Sequence, residues 1–243
     1  MGSSWDWEVF LKDPGGADPT YWQWMLSCWG WTISVSICAL LLALVVGTAI
    51  GILRTLPDKP GLVRLGTIWV EAFRNVPLLV QIFIWYHVVP AFIPAMKSLP
   101  SFVLVVLALG FFTSSRIAEQ VRSGIQTLPR GQRYAGMAMG FTTAQTYRYV
   151  ILPMALRIII PPLTSESMNL LKNSSVAFAV SIAELTMFAM QAQEETSRGI
   201  EIYLAVTVLY AVSAFAVNRI FALIEKKAQI PGYVMAGASG GGH

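Results

Sequence analysis

The chain has 243 residues, 55% of them hydrophobic, 12% aromatic and only 12% charged, with a net charge of +4. A soluble domain carries about a quarter charged residues, so too little polar surface exists here to cover a water-facing globule, and an integral membrane protein is the class that remains. The sequence pI of 9.2 then depends on where the basic residues sit, and it does not indicate nucleic-acid binding.

In chain order, the N-terminus opens on Trp5, Asp6, Trp7 and Glu8 rather than on a basic region before an apolar core. Insertion is therefore expected to be driven by the first long apolar segment. Residues 1–28 are expected to form an amphipathic periplasmic segment. Six of the eight tryptophans (Trp5, Trp7, Trp22, Trp24, Trp29 and Trp31) precede or open the first crossing, as an interfacial belt requires. A spanning helix needs about 20 mainly apolar residues, and residues 29–53 supply them without a charge. Residues 77–94 form a shorter segment punctuated by prolines. Residues 101–120 form a third that holds Arg116 and Glu119. Residues 152–171 give a fourth, interrupted by Pro161, Pro162, Ser165 and Glu166. Residues 173–190 are apolar but rich in Ser and Ala, with Glu184 inside, and residues 202–224 close the set. The transmembrane domain is expected over 29–231 and a flexible Gly-rich tail over 232–243. Cys28 and Cys38 lie in or beside one apolar stretch and read as small buried hydrophobes, not as a disulfide or metal site.

Hydropathy does not choose between five and six crossings; charge placement does. With five crossings and the N-terminus outside, the inner side holds 12 basic residues against four acids, and the outer side four basic residues against eight acids. Lys and Arg collect in cytoplasmic loops, so this all-α membrane fold is expected to run N-out and C-in. Residues 173–190 then do not cross and form a half-buried helix or gate near the outer surface. Six crossings would put the acidic 194–201 loop inside.

The stretch between two crossings at 131–153, GQRYAGMAMGFTTAQTYRYVILP, is too organised for a plain connection. Ala135, Gly136 and Ala138 are small enough to let a short helix fit into a partner's cleft. Gly140 permits a turn that other residues resist, Thr142 or Thr143 can cap a second short helix, and Pro153 stands where a new helix begins. The competing reading is an ordinary basic juxtamembrane loop.

This stretch resembles the EAA loop of ABC-importer permeases. Tyr134, Ala135 and Gly136 stand at the EAA positions, Gly140 at the glycine, and Val150, Ile151, Leu152 and Pro153 at the closing element. Tyr134 replaces the family's Glu and Gly136 its second Ala. The run from Glu71 through Arg74, Pro77 and Leu79 to Gln81 is similar to a segment of polar amino acid permeases, as are Glu119 to Arg122 followed by Gly131-Gln132, and Lys172 to Ser175. The resemblance covers about residues 29–231 and lies closest to the permease subunits of bacterial glutamate/aspartate importers. It implies a type I importer permease fold in the bacterial inner membrane, with five crossings and cytoplasmic coupling helices at about 131–150. It also implies a second permease subunit (the same chain or another), an ATP-binding subunit dimer and a periplasmic substrate-binding protein. No G-x-x-x-x-G-K-[ST] motif occurs, so ATP and Mg are expected on the partner ATPase, with no cofactor bound by this chain. Ala135, Gly136, Gly140, Leu152 and Pro153 are the residues expected to couple to that ATPase.

A charge inside the bilayer marks a candidate site. Arg116 lies about 9 Å above Arg122 and Glu166 about 13 Å above Arg157 at 1.5 Å per residue, so the two reach similar depth and are expected to pair or to share a cavity. Glu166, Asn169 and Lys172 or Asn173 recur at helical spacing, with Ser165 beside them. Arg116, Glu166, Asn169, Ser165 and Gln81 are the candidate substrate contacts, because a planar guanidinium suits an amino acid's carboxylate. The alternatives have Arg116 bound to Glu119 or snorkelling inward, and Gln81 only bridging helices. Glu119 and Arg122 are expected to form a structural ion pair. No catalytic residue and no metal site are expected.

The function expected is import of acidic amino acids, driven by a separate ATPase. A permease for another polar amino acid is the alternative. An ion-coupled secondary transporter fits less well, since no inverted repeat is visible, and a membrane-embedded enzyme lacks a catalytic constellation.

Overall fold

The computed structural model describes residues 5–228; the tail expected over 232–243, and the last residues of the expected transmembrane domain, lie outside them. A short 3-10 turn at Trp7–Leu11 precedes α1, Tyr21–Leu53. Thr20 starts α1 by accepting a hydrogen bond from the Gln23 amide at 3.3 Å. The helix therefore begins eight residues before the apolar run does, taking in the end of the expected amphipathic segment. Its 33 residues rise about 50 Å, longer than a bilayer's hydrocarbon core.

The buried face of α1 is a seam at helical spacing: Met25, Cys28, Thr32, Ser36, Ala39, Ala43, Gly47 and Gly51. Small residues let helix backbones approach closely in lipid, where packing and not water exclusion drives association. From Ala39 to Gly51 the partner is α5, Ser101–Gln126. A Cβ on Gly47 would sit 2.8 Å from Ile117, one on Gly51 2.6 Å from Val121, and one on Gly110 2.6 Å from Leu42. Residue numbers rise together along this contact, so α1 and α5 run parallel, and the chain between them must cross back once.

That return begins with α2, Pro60–Arg74, and continues through α3, Leu78–Phe83, a π-helical turn at Ile84–Val88, and α4, Val89–Phe92. The two halves are bent by 102° at the break before Pro77. Residues 77–94 are thus only the second half of the crossing. Proline has no N–H to continue a helical ladder, and Gln81 takes up the slack: its Nε2 donates to the carbonyls of Phe73 at 2.6 Å and Val76 at 2.9 Å.

After α5 come the short helices α6, Arg130–Ala138, and α7, Thr143–Thr146. A π-helical turn at Tyr147–Ile151 leads into α8, Leu152–Asn173. The expected interruption at Pro161 and Pro162 is not a break: both lie inside α8. Proline there removes the helical donors for the carbonyls of Arg157 and Ile158, while the surrounding turns persist. α8 runs antiparallel to α5, with Gly124 against Ile159 at one end and Arg116 against Glu166 farther along.

A 3-10 turn at Ser174–Val180 and α9, Leu185–Thr196, fill the end of the bundle without crossing it. Leu185, Phe188, Ala189 and Ala192 pack into one core with Met25 and Cys28 of α1 and Ile202 and Val206 of α10, Gly199–Ala228. Cys28 is buried as expected, but Cys38 is exposed, because it falls on the opposite side of the α1 seam. Four helices are long and apolar enough to span a bilayer, and the bent pair makes a fifth. No β-strand occurs among the described residues.

Candidate functional site

Arg116 on α5 and Glu166 on α8 meet between the two antiparallel helices, Nε donating to Oε2 at 2.7 Å. The Glu166 side chain is 8% exposed and that of Arg116 43%. The pair is therefore sealed on one side and open on the other. Only Nε of Arg116 is engaged; its two terminal nitrogens have no partner among the described residues. Arg116 does not bind Glu119, the alternative its i+3 spacing allowed. Asn169 is half-buried and Ser165 exposed on the same helix as Glu166, and neither side chain has a hydrogen-bond partner among the described residues. Gln81 is buried, and both its amide hydrogens go to the backbone carbonyls of Phe73 and Val76, which ties the two halves of the bent crossing together.

Toward the other end of α5, Glu119 pairs with Arg122 and also with Arg54, the C-cap of α1, whose Nη1 donates to Oε2 at 2.6 Å. Arg122 donates in turn to Gln126 at 2.6 Å. One carboxylate thus holds two guanidinium groups and ties the end of α1 to α5. Sequence reasoning missed Arg54, because nothing in the chain order says that α1 and α5 lie parallel.

The loop of α6 and α7 is built by three local devices. Gly140 takes φ +79°, and the Phe141 amide donates to the Gly136 carbonyl at 3.1 Å while the Gly140 amide donates to Met137 at 2.9 Å. These two bonds are the Schellman ending of a helix, which favours glycine at its left-handed position. Thr142 and Gln145 form a reciprocal capping box that starts α7. Gly136 is buried against Thr146, where an added Cβ would come within 2.9 Å. The hydroxyl of Tyr147 donates to the Thr55 carbonyl at 2.6 Å and so anchors the unit to the α1–α2 connection. Ala135 and Pro153 are exposed and Leu152 half-buried. Tyr134, Met137, Met139 and Tyr149 are each more than half exposed, leaving an apolar surface of this unit uncovered.

At the opposite end, Glu184 caps α9. Its carboxylate accepts from the amides of Thr186 at 2.8 Å and Met187 at 2.9 Å, and from the Tyr210 hydroxyl at 2.9 Å. Thr32 of α1 accepts from the Leu185 amide at 3.1 Å. Burial pushes the Glu184 carboxyl above its ordinary range, and these hydrogen bonds pull the other way.

A family model described as binding-protein-dependent transport system inner membrane component matches residues 47–230. The glutamate/aspartate import permease protein GltJ of Escherichia coli K12 is 41% identical over 242 residues, covering 96% of this chain and 98% of that protein. The probable glutamine ABC transporter permease protein GlnM of Bacillus subtilis is 36% identical, over 81% of this chain and 89% of its own. Among solved structures, a chain of an amino acid ABC transporter crystallised with histidines superposes with a TM-score of 0.73 at 29% identity, over 85% of this chain and 95% of that one. A chain of the MetNI methionine ABC transporter, at 18% identity and a TM-score of 0.74 over 88% of this chain, shares the fold.

Proposed function

The chain belongs to the family of binding-protein-dependent transport system inner membrane components, and from that premise we propose that it carries glutamate and aspartate inward as the permease subunit of an ATP-driven importer. It is an amino-acid ABC importer permease, a multi-pass transport component of the inner membrane. The path runs between this chain and a second permease subunit, with the N-terminus periplasmic and the C-terminus cytoplasmic. A periplasmic binding protein delivers the amino acid, and an ATPase dimer carrying ATP and Mg docks on α6 and α7. Closure of that dimer pushes on Ala135, Gly136 and Gly140 and passes through Leu152 and Pro153 into α8. ATP hydrolysis then resets the path.

The observation that carries the substrate reading is the half-open Arg116–Glu166 pair with two guanidinium nitrogens unengaged. A carboxylate takes those nitrogens as a planar bidentate pair, and Glu166 receives the α-ammonium group. Ser165 and Asn169 line the approach, and Gln81 keeps the bent crossing closed. The 41% identical glutamate/aspartate permease supports the acidic class. The 36% identical probable glutamine permease supports a second reading, a neutral polar amino acid at the same pair.

Proteoliposomes holding the assembled complex, with ATP inside and the binding protein outside, test this directly. Labelled glutamate and aspartate are taken up, glutamine is not, and Arg116→Ala abolishes uptake while the complex still assembles. Unchanged uptake kinetics in that variant would remove Arg116 from the path.

A further inference from the structure

Beside the junction of α1, α5 and α6 lies a cavity of about 490 Å³ that the transport reading does not use. Arg54, Arg130 and Arg133 line it beside Tyr147, and Leu56 and Leu128 belong to its apolar wall. Its charge is unbalanced. Arg54 and Arg122 share the single carboxylate of Glu119, while Arg130 and Arg133 have no ion-pair partner among the described residues. Arg54 is 11% exposed and gives Nη1 to Glu119, while its Nη2 has no partner among the described residues. The N-terminus of the nine-residue α6 opens at the same rim, behind Pro129 and without a side-chain cap, which adds a partial positive charge.

We propose that this cavity binds a phosphate-bearing headgroup, that of an anionic phospholipid. Three guanidinium groups and a helix N-terminus fit a phosphate diester, whose oxygens guanidinium donors satisfy in pairs. The apolar wall fits the glycerol and the first methylenes of acyl chains, a surface that a free anion would leave empty. Its position agrees: it lies where α1 and α5 end, at the end of the bundle rich in basic residues, and a basic cleft beside spanning helices suits an anionic headgroup. A lipid held there would rest against the Tyr147–Thr55 anchor, so its occupancy reaches the unit of α6 and α7. The proposal is independent of which amino acid is carried.

The experiment uses the assembled complex in nanodiscs containing a photoactivatable phosphatidylglycerol, with crosslinks mapped by mass spectrometry. Labelling of the segments around residues 54–56 and 125–133 is expected, competed by unlabelled phosphatidylglycerol and not by phosphatidylcholine. Arg130→Ala/Arg133→Ala lowers the affinity for phosphatidylglycerol about thirtyfold, from the worth of two basic residues at an anionic surface. Arg130→Lys/Arg133→Lys retains most of it, and Lys226→Ala/Lys227→Ala, which removes basic charge elsewhere, leaves it unchanged. Displacement of the lipid by millimolar inorganic phosphate would assign the site to a free anion. Labelling that appears only when the ATPase subunits are absent would assign the arginines to that subunit's acidic surface. Either result overturns the lipid site, as does equal labelling of the Ala variant and the unaltered complex.

Discussion

Removing Arg116 and removing Glu166 should not be equivalent, although each breaks the same 2.7 Å bond. Arg116→Ala leaves Glu166, 8% exposed, without its cation. Stranding one partner of a buried pair costs about 3–5 kcal/mol, and the 43% exposure of Arg116 brings the figure down to about 2–3 kcal/mol, since a half-solvated pair is screened. Glu166→Gln leaves a guanidinium that already reaches solvent, beside an amide oxygen that still accepts, so its cost is below about 1 kcal/mol. The double variant Arg116→Ala/Glu166→Gln removes the stranded charge and should return to within about 1 kcal/mol of the unaltered protein. At about 2–4 °C per kcal/mol for a chain of this size, thermal unfolding of the purified complex should show Tm falling by roughly 5–10 °C for Arg116→Ala alone. Uptake should be lost in all three. Equal losses of Tm in the two single variants, or no recovery in the double, would refute the reasoning from burial.

Two other expectations rest on separate parts of the fold. Glu184→Ala removes the cap of α9 and leaves the Tyr210 hydroxyl only its 3.3 Å contact with the Thr186 hydroxyl, which should cost about 2 kcal/mol; Tyr210→Phe, which keeps both backbone caps, should cost about 1 kcal/mol, and the two Tm values measure the difference. Gly140→Val places a β-branched residue at φ +79° and should cost about 2 kcal/mol; ATPase activity should persist while binding-protein-dependent uptake falls, a ratio read from parallel assays on one preparation.

Much of this was legible because charges are scarce. With few of them to distribute, their sorting between the two ends favoured five crossings, and the parallel packing of α1 on α5 requires the same return through α2 to α4. Counting rise per residue put Arg116 and Glu166 at similar depth, and they meet. The turn at Gly140 and the cap at Thr142 follow from single-residue preferences, so they too could be read locally. What stayed hidden depends on three-dimensional neighbours. The Arg54–Glu119 bond needs the direction of one helix relative to another. The carbonyls of Phe73 and Val76 that Gln81 bonds are exposed by a 102° bend with no sequence signal beyond Asn75 and Pro77, so the sequence left its helix-bridging and path roles both open. Pro161 and Pro162 read as a break, although packing against α5 and α10 keeps α8 continuous. Glu184 read only as an acid in an apolar stretch, since its three donors come from α9 and α10.

In the mechanism proposed, the Arg116–Glu166 pair receives the amino acid. Cryo-electron microscopy of the assembled complex with glutamate bound tests it most directly. Density for the amino acid is expected between the two side chains, its carboxylate on the terminal nitrogens of Arg116 and its ammonium group on Glu166. An intact Arg116–Glu166 pair, with glutamate bound elsewhere in the path, would contradict it.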